Sequence, residues 1–85
     1  MTEEEYIFIN IIIQNSNKIK NYYSRLFYID SMIKQCEWTF SSEFKTQINR
    51  ILKEVKAFNT NKQQYDWIIQ ELVKLQDYHD NLKEK

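Results

Sequence analysis

Eighty-five residues without a single glycine or proline restrict how this chain can turn. Tight hairpins and phosphate-cradling loops rely on glycine at positive φ, and helices are commonly stopped by glycine or by a proline just beyond their end. Sheets and nucleotide P-loops are therefore disfavoured, and reversals must come from polar side chains that cap helix ends. At this length residues 1–85 make one domain, which buries only about 60% of the surface its unfolded chain exposes.

Helical periodicity is the dominant pattern. From Phe8 the positions Ile12, Asn15, Ile19, Tyr22, Leu26, Ile29, Ile33, Cys36 and Phe40 follow in alternating steps of four and three, while Asn10, Asn17, Ser24 and Ser31 fall on the opposite face. One register thus runs through the whole segment. Thr2 and Glu5 form a capping box ahead of it, and three successive glutamates suit the positive end of a helix dipole. The sequence predicts helix A over about 3–38, with a break at Asn15-Ser16-Asn17 as the alternative, because these residues compete with the helical backbone for hydrogen bonds.

Ser41 or Ser42 can cap helix B, about 42–58, whose stripe is Phe44, Ile48, Ile51, Val55 and Phe58. Asn59-Thr60-Asn61 interrupts the pattern, and Thr60 with Gln63 signals helix C, about 61–83, with Tyr65, Ile68, Leu72, Leu75, His79 and Leu82 in line. The expected architecture is all-α: a small antiparallel bundle of three helices with a long first one.

Residues 6–13, Tyr-Ile-Phe-Ile-Asn-Ile-Ile-Ile, are apolar nearly all round, and a helix of that kind is buried. A membrane span needs about 20 apolar residues, so this run is too short for one. Three helices cannot easily surround it, which predicts a homo-oligomer with Tyr6, Phe8, Ile9, Ile12 and Ile13 at its interface. The acidic start lacks the features of a secretory signal, and a lone Cys36 allows no intrachain disulfide; both point to the cytoplasm.

Catalytic groups are scarce. The one histidine, His79, and the one cysteine, Cys36, both fall on apolar seams, where a partly buried structural role is expected. Asp77, His79 and Asp80 stand too close along a helix to converge on a metal. No enzyme activity, cofactor or metal site is expected.

Charge sums to zero but is uneven: residues 18–62 carry nine basic against four acidic side chains, a net of +5. This either pairs with the acidic ends or binds an anion, with Lys20, Arg25, Lys34, Arg50 and Lys53 as the contacts. Thirteen residues are aromatic, and Phe27, Tyr28, Trp38 and Trp67 fall off the seams, where they suit docking on another protein. The bias towards isoleucine, asparagine and lysine resembles that of low-GC genomes, including many phages and mobile elements. The leading expectation is a stoichiometric, homo-oligomeric binding protein of that type, which inhibits or adapts another protein. The first alternative is a binder of an anionic nucleotide-type ligand or a nucleic acid strand, and the second a structural component of a larger particle.

Overall fold

The computed structural model of the protein describes residues 1–83. It contains four α-helices: α1 (Glu3–Asn17), α2 (Tyr22–Cys36), α3 (Ser42–Glu54) and α4 (Asn61–Lys83), with single 3₁₀ turns at Glu37–Thr39 and Val55–Ala57. The long first helix is not observed. It divides after Asn17, and the chain reverses over Lys18–Asn21 to give α1 and α2, so the bundle has four helices rather than three.

Local chemistry accounts for the reversal. The Asn21 side chain accepts a 2.7 Å bond from the Ser24 amide and starts α2, while its own backbone is extended. Arg25, one turn later, donates from Nε to the Ile19 carbonyl at 2.7 Å and from Nη2 to that of Asn17. Its cation thus sits at the negative end of the α1 dipole. The guanidinium also lies against both the Tyr22 and Tyr65 rings, 4.7 and 4.9 Å from their centroids, and the two rings touch each other at 5.8 Å. Ser16, fully buried, shares a 2.9 Å hydrogen bond with the Tyr65 hydroxyl. A polar residue inside the core at this point favours ending the helix here, because its hydroxyl finds the α4 of its own chain only in the folded-back arrangement.

The helices alternate in direction. Tyr6 meets Asp80 and Ser16 meets Tyr65, so α1 and α4 are antiparallel; Asn15 bonds Tyr28, and Arg50 bonds Glu71. At the end where α1 and α3 both start, the buried Glu5 carboxylate joins their caps. It accepts from the Thr2 amide at 2.9 Å, closing the expected capping box, and from the Ser41 amide at 2.6 Å; Ser41 in turn caps α3. Thr60 caps α4 through the Gln63 amide.

The core consists of Phe8, Ile9 and Ile12 from α1, Ile29 and Ile33 from α2, Phe44, Ile48 and Ile51 from α3, and Tyr65, Ile68 and Leu72 from α4. The apolar start of the chain therefore finds burial within a single chain, and the division of helix A is the reason: folding α1 back supplies the wall that three helices lacked. Asn10 is not the water-facing residue of this segment, for it accepts a 2.7 Å bond from the buried Gln76 amide, whereas Ile7 and Ile11 stand 53% and 41% exposed.

Replacing Glu5 by alanine removes an acceptor from two helix starts and leaves the Ser41 amide without it. We expect a loss of about 2–4 kcal/mol in urea unfolding, whereas Glu4→Ala, an exposed neighbour, should change stability by less than about 0.5 kcal/mol.

Candidate functional site

Two open grooves flank α2, with different linings. The first, of about 480 Å³, runs between α1 and the end of α2; Ile7, Phe8, Ile11, Met32, Cys36 and Phe40 make its wall. Helical geometry explains it: Ile7, Ile11, Gln14 and Lys18 follow at four- and three-residue steps along one row of α1, and the upper half of that row is isoleucine. Trp38, in the 3₁₀ turn between the lining residues Cys36 and Thr39, is 81% exposed. Glu4 lines the same groove and Glu37 precedes Trp38. Neither carboxylate has an ion-pair partner among the described residues, so an apolar surface sits beside uncompensated negative charge.

The second groove, of about 470 Å³, lies between α2 and α3. Leu26, Leu52, Val55 and Ile68 form its floor, and Lys53 and Lys56 stand on the α3 side. Lys45, eight residues before Lys53, continues that row, and none of the three lysines has an ion pair among the described residues. On the opposite wall Asp30 is paired with Lys34 at 2.9 Å. Tyr23 and Phe27, 67% and 65% exposed, extend the same edge of α2 towards the bend.

The residues singled out from the sequence separate into engaged and available groups. Of the expected interface residues, Phe8, Ile9 and Ile12 belong to the core of the chain, Ile13 is half-buried against it, and Tyr6 donates its hydroxyl to Asp80 at 3.1 Å. That bond to a carboxylate holds the Tyr6 phenol above its usual pKa. Of the expected docking aromatics, Phe27 and Trp38 project into solvent. Tyr28 accepts a bond from Asn15, and Trp67 lies 5.5 Å from the Phe58 ring. Among the expected anion contacts Lys20 and Lys53 have no ion pair among the described residues, Lys34 is paired with Asp30, and Arg25 holds the α1–α2 bend. Arg50 bridges Glu54 at 3.0 Å and Glu71 at 3.2 Å, which raises its pKa further.

Ile7, Ile11 and Tyr23 were not anticipated as surface features. Their signal was present in the spacing, since Ile7 and Ile11 share a row with Gln14 and Lys18, but the all-round greasiness of residues 6–13 concealed it. No group of three or more His, Cys, Asp or Glu side chains able to hold a metal occurs among the described residues, and no helix among them is long and apolar enough to cross a membrane. No family model, curated protein or solved structure matches the chain.

The Glu71 carboxylate, 11% exposed, bonds Lys74 at 2.9 Å and Arg50 at 3.2 Å, and these two cations lower its pKa against the opposing effect of burial. A carboxylate with a lowered folded-state pKa contributes stability that is complete above its unfolded value and disappears as pH falls through the folded one. Glu71→Gln should therefore be less stable than the parent at neutral pH, with the gap closing as acid unfolding is followed through and below the ordinary carboxylate range.

Proposed function

We propose that the protein is a non-enzymatic, stoichiometric binding protein that docks on another protein through the groove between α1 and α2. The observation that carries this reading is an apolar groove with exposed Ile7 and Ile11 and the carboxylate of Glu4 in its lining, next to the 3₁₀ turn that carries Glu37 and the exposed Trp38; neither carboxylate has an ion pair among the described residues. Large apolar side chains gathered on one face are costly to leave in water unless a partner covers them, and an exposed tryptophan is a typical anchor. The acidic rim defines the occupant as an amphipathic helical segment whose apolar side chains fill the groove and whose lysines or arginines meet Glu4 and Glu37. Inhibition or adaptation of that partner would follow from masking the segment. The lone Cys36 suits a reducing cytoplasm, and a homo-oligomer would present the groove more than once, raising avidity for a repeated target.

A second reading is supported by the groove between α2 and α3, which Lys53 and Lys56 line and beside which the same row of α2 carries the exposed Phe27 and Tyr23. Basic and aromatic side chains beside one groove suit a nucleotide-type anion or a single nucleic acid strand, through charge neutralisation and stacking.

The two readings call for opposite probes. Titrating labelled protein with a synthetic leucine–lysine amphipathic helix should shift the resonances of Ile7, Ile11, Met32 and Trp38. Trp38→Ala and Ile11→Asn should each weaken binding about tenfold or more, the effect of removing an interface anchor. Equal binding of a leucine–glutamate peptide of the same pattern would overturn the docking reading. Oligothymidylate bound in a steeply salt-dependent manner, and lost in Lys53→Gln/Lys56→Gln, would place the second reading ahead.

A further inference from the structure

The bend between α1 and α2 has an unusual construction. Reversals between antiparallel helices are commonly enforced by glycine or proline, yet Lys18-Ile19-Lys20-Asn21 contains neither, and no described residue has a positive φ. Lys18 is still close to helical, with φ −81° and ψ −13°, while Asn21, at φ −105° and ψ 150°, is extended. Nothing in these four residues is incompatible with a helix. The four-and-three spacing that starts at Phe8 also passes through the bend without a change of phase, by way of Ile19 and Tyr22, as far as Phe40. A sequence built only to turn here would have no need to keep that phase.

We infer that the Lys18–Asn21 bend is a hinge that can straighten, so that α1 and α2 fuse into one helix and two copies of the chain exchange their α1 helices. Size requires the exchange. A continuous helix from Glu3 to Cys36 would be about 51 Å long, whereas the longest dimension of the molecule is 38 Å. Straightening thus carries α1 out of its own bundle and strips Phe8, Ile9 and Ile12 from the core, which is tolerable only when the α1 of a second copy enters in its place. In the exchanged pair each core contact is remade between chains, and Ser16 of one copy meets Tyr65 of the other.

Three features of the surface belong to this hinge. Asn21 and Arg25 act as its latch: the cap on Ser24 and the two bonds from Arg25 to the Asn17 and Ile19 carbonyls exist only in the bent form. Lys18, Lys20 and Asn21 are exposed, so their own side chains lose no core contact when the segment changes conformation. Tyr23 and Phe27, exposed in the first two turns of α2, lie where the two long helices of an exchanged pair would cross, and they gain cover only there.

The test is to unfold the protein, refold it at millimolar concentration, and measure mass by light scattering. Asn21→Ala removes the latch and favours the straight helix; it should tighten the dimer about tenfold or more, and Lys20→Gly, which penalises a continuous helix at an exposed site, should shift the population towards monomer. Exchange is separated from simple surface pairing by spin labels at positions 4 and 35 in a Cys36→Ser background, with the labelled chain diluted into unlabelled protein. Glu4 lies across the groove from Cys36 in the bent form, whereas in the straight helix the two labels would stand about 47 Å apart. A long distance in the dimer supports the hinge. A monomer for Asn21→Ala under these conditions, or a dimer that keeps the short intrachain distance, overturns it.

Discussion

Every α-helix start among the described residues is set by a side-chain oxygen, because none of those residues has a left-handed backbone to do the work of stopping and turning. Thr2, Asn21, Ser41 and Thr60 each accept a bond from the amide three residues on. In a chain rich in glycine such caps would refine boundaries that the backbone already imposes. Here they impose them, and the rest of the bundle hangs from where they fall. Glu5 extends the principle from local to tertiary structure: one buried carboxylate satisfies donors at the starts of two helices and so fixes where α3 begins relative to α1.

Dependence on caps also explains what could be read from the sequence. Helix α4 falls within the limits expected from Thr60 and Asn61, and α3 with its 3₁₀ extension ends within one residue of the expected position. Both follow from strong caps next to clear stripes. The division of the first helix was less legible, since the apolar phase continues across it and the decisive groups are distant: the Tyr65 hydroxyl that takes Ser16, and the cluster of Tyr22, Arg25 and Tyr65 that closes the turn. No spacing rule connects residue 16 with residue 65. The expected seam of Phe8 and Ile12 is buried, but Asn10, expected on the opposite face, is drawn to Gln76 by a long-range bond, and Ile7 and Ile11 are the exposed residues. The exposed positions of Phe27 and Trp38 agreed with their off-seam places, whereas Trp67 and Tyr28 found partners on neighbouring segments that only the fold brings together.

Electrostatics divides in the same way. Among the described residues most ion pairs are local, between residues three or four apart on one helix, and those exposed on both sides contribute little to stability. Arg50 to Glu71 and His79 to Glu3 link separate helices. The expected wholesale pairing of a basic middle with acidic ends therefore accounts for a small part of the charge. What remains is sorted by location: Glu4 lines the groove of α1 and α2, next to the turn that carries Glu37, and Lys53 and Lys56 line that of α2 and α3. With no net charge to dominate at long range, and screening over about 8 Å at physiological salt, each groove would act on a ligand through its own rim.

The hinge and the docking groove share the same two helices, and this constrains how they would act together. The wall of Ile7, Phe8, Ile11, Met32, Cys36 and Phe40 is made by α1 against the far end of α2 and its following turn. Exchange of α1 between two copies would rebuild that wall from residues of different chains without changing its composition, so the groove would not be consumed by pairing. A monomer would offer one such groove, and an exchanged pair two, related by the symmetry of the dimer. Straightening would then alter valency rather than the contacts at each site, and its effect would be felt by a partner carrying two copies of the bound segment within reach of both grooves, where the second binding event becomes intramolecular. A partner with a single segment would bind both forms alike and would have no means of shifting the balance between them, since a ligand moves an equilibrium only by its differential affinity for the two states.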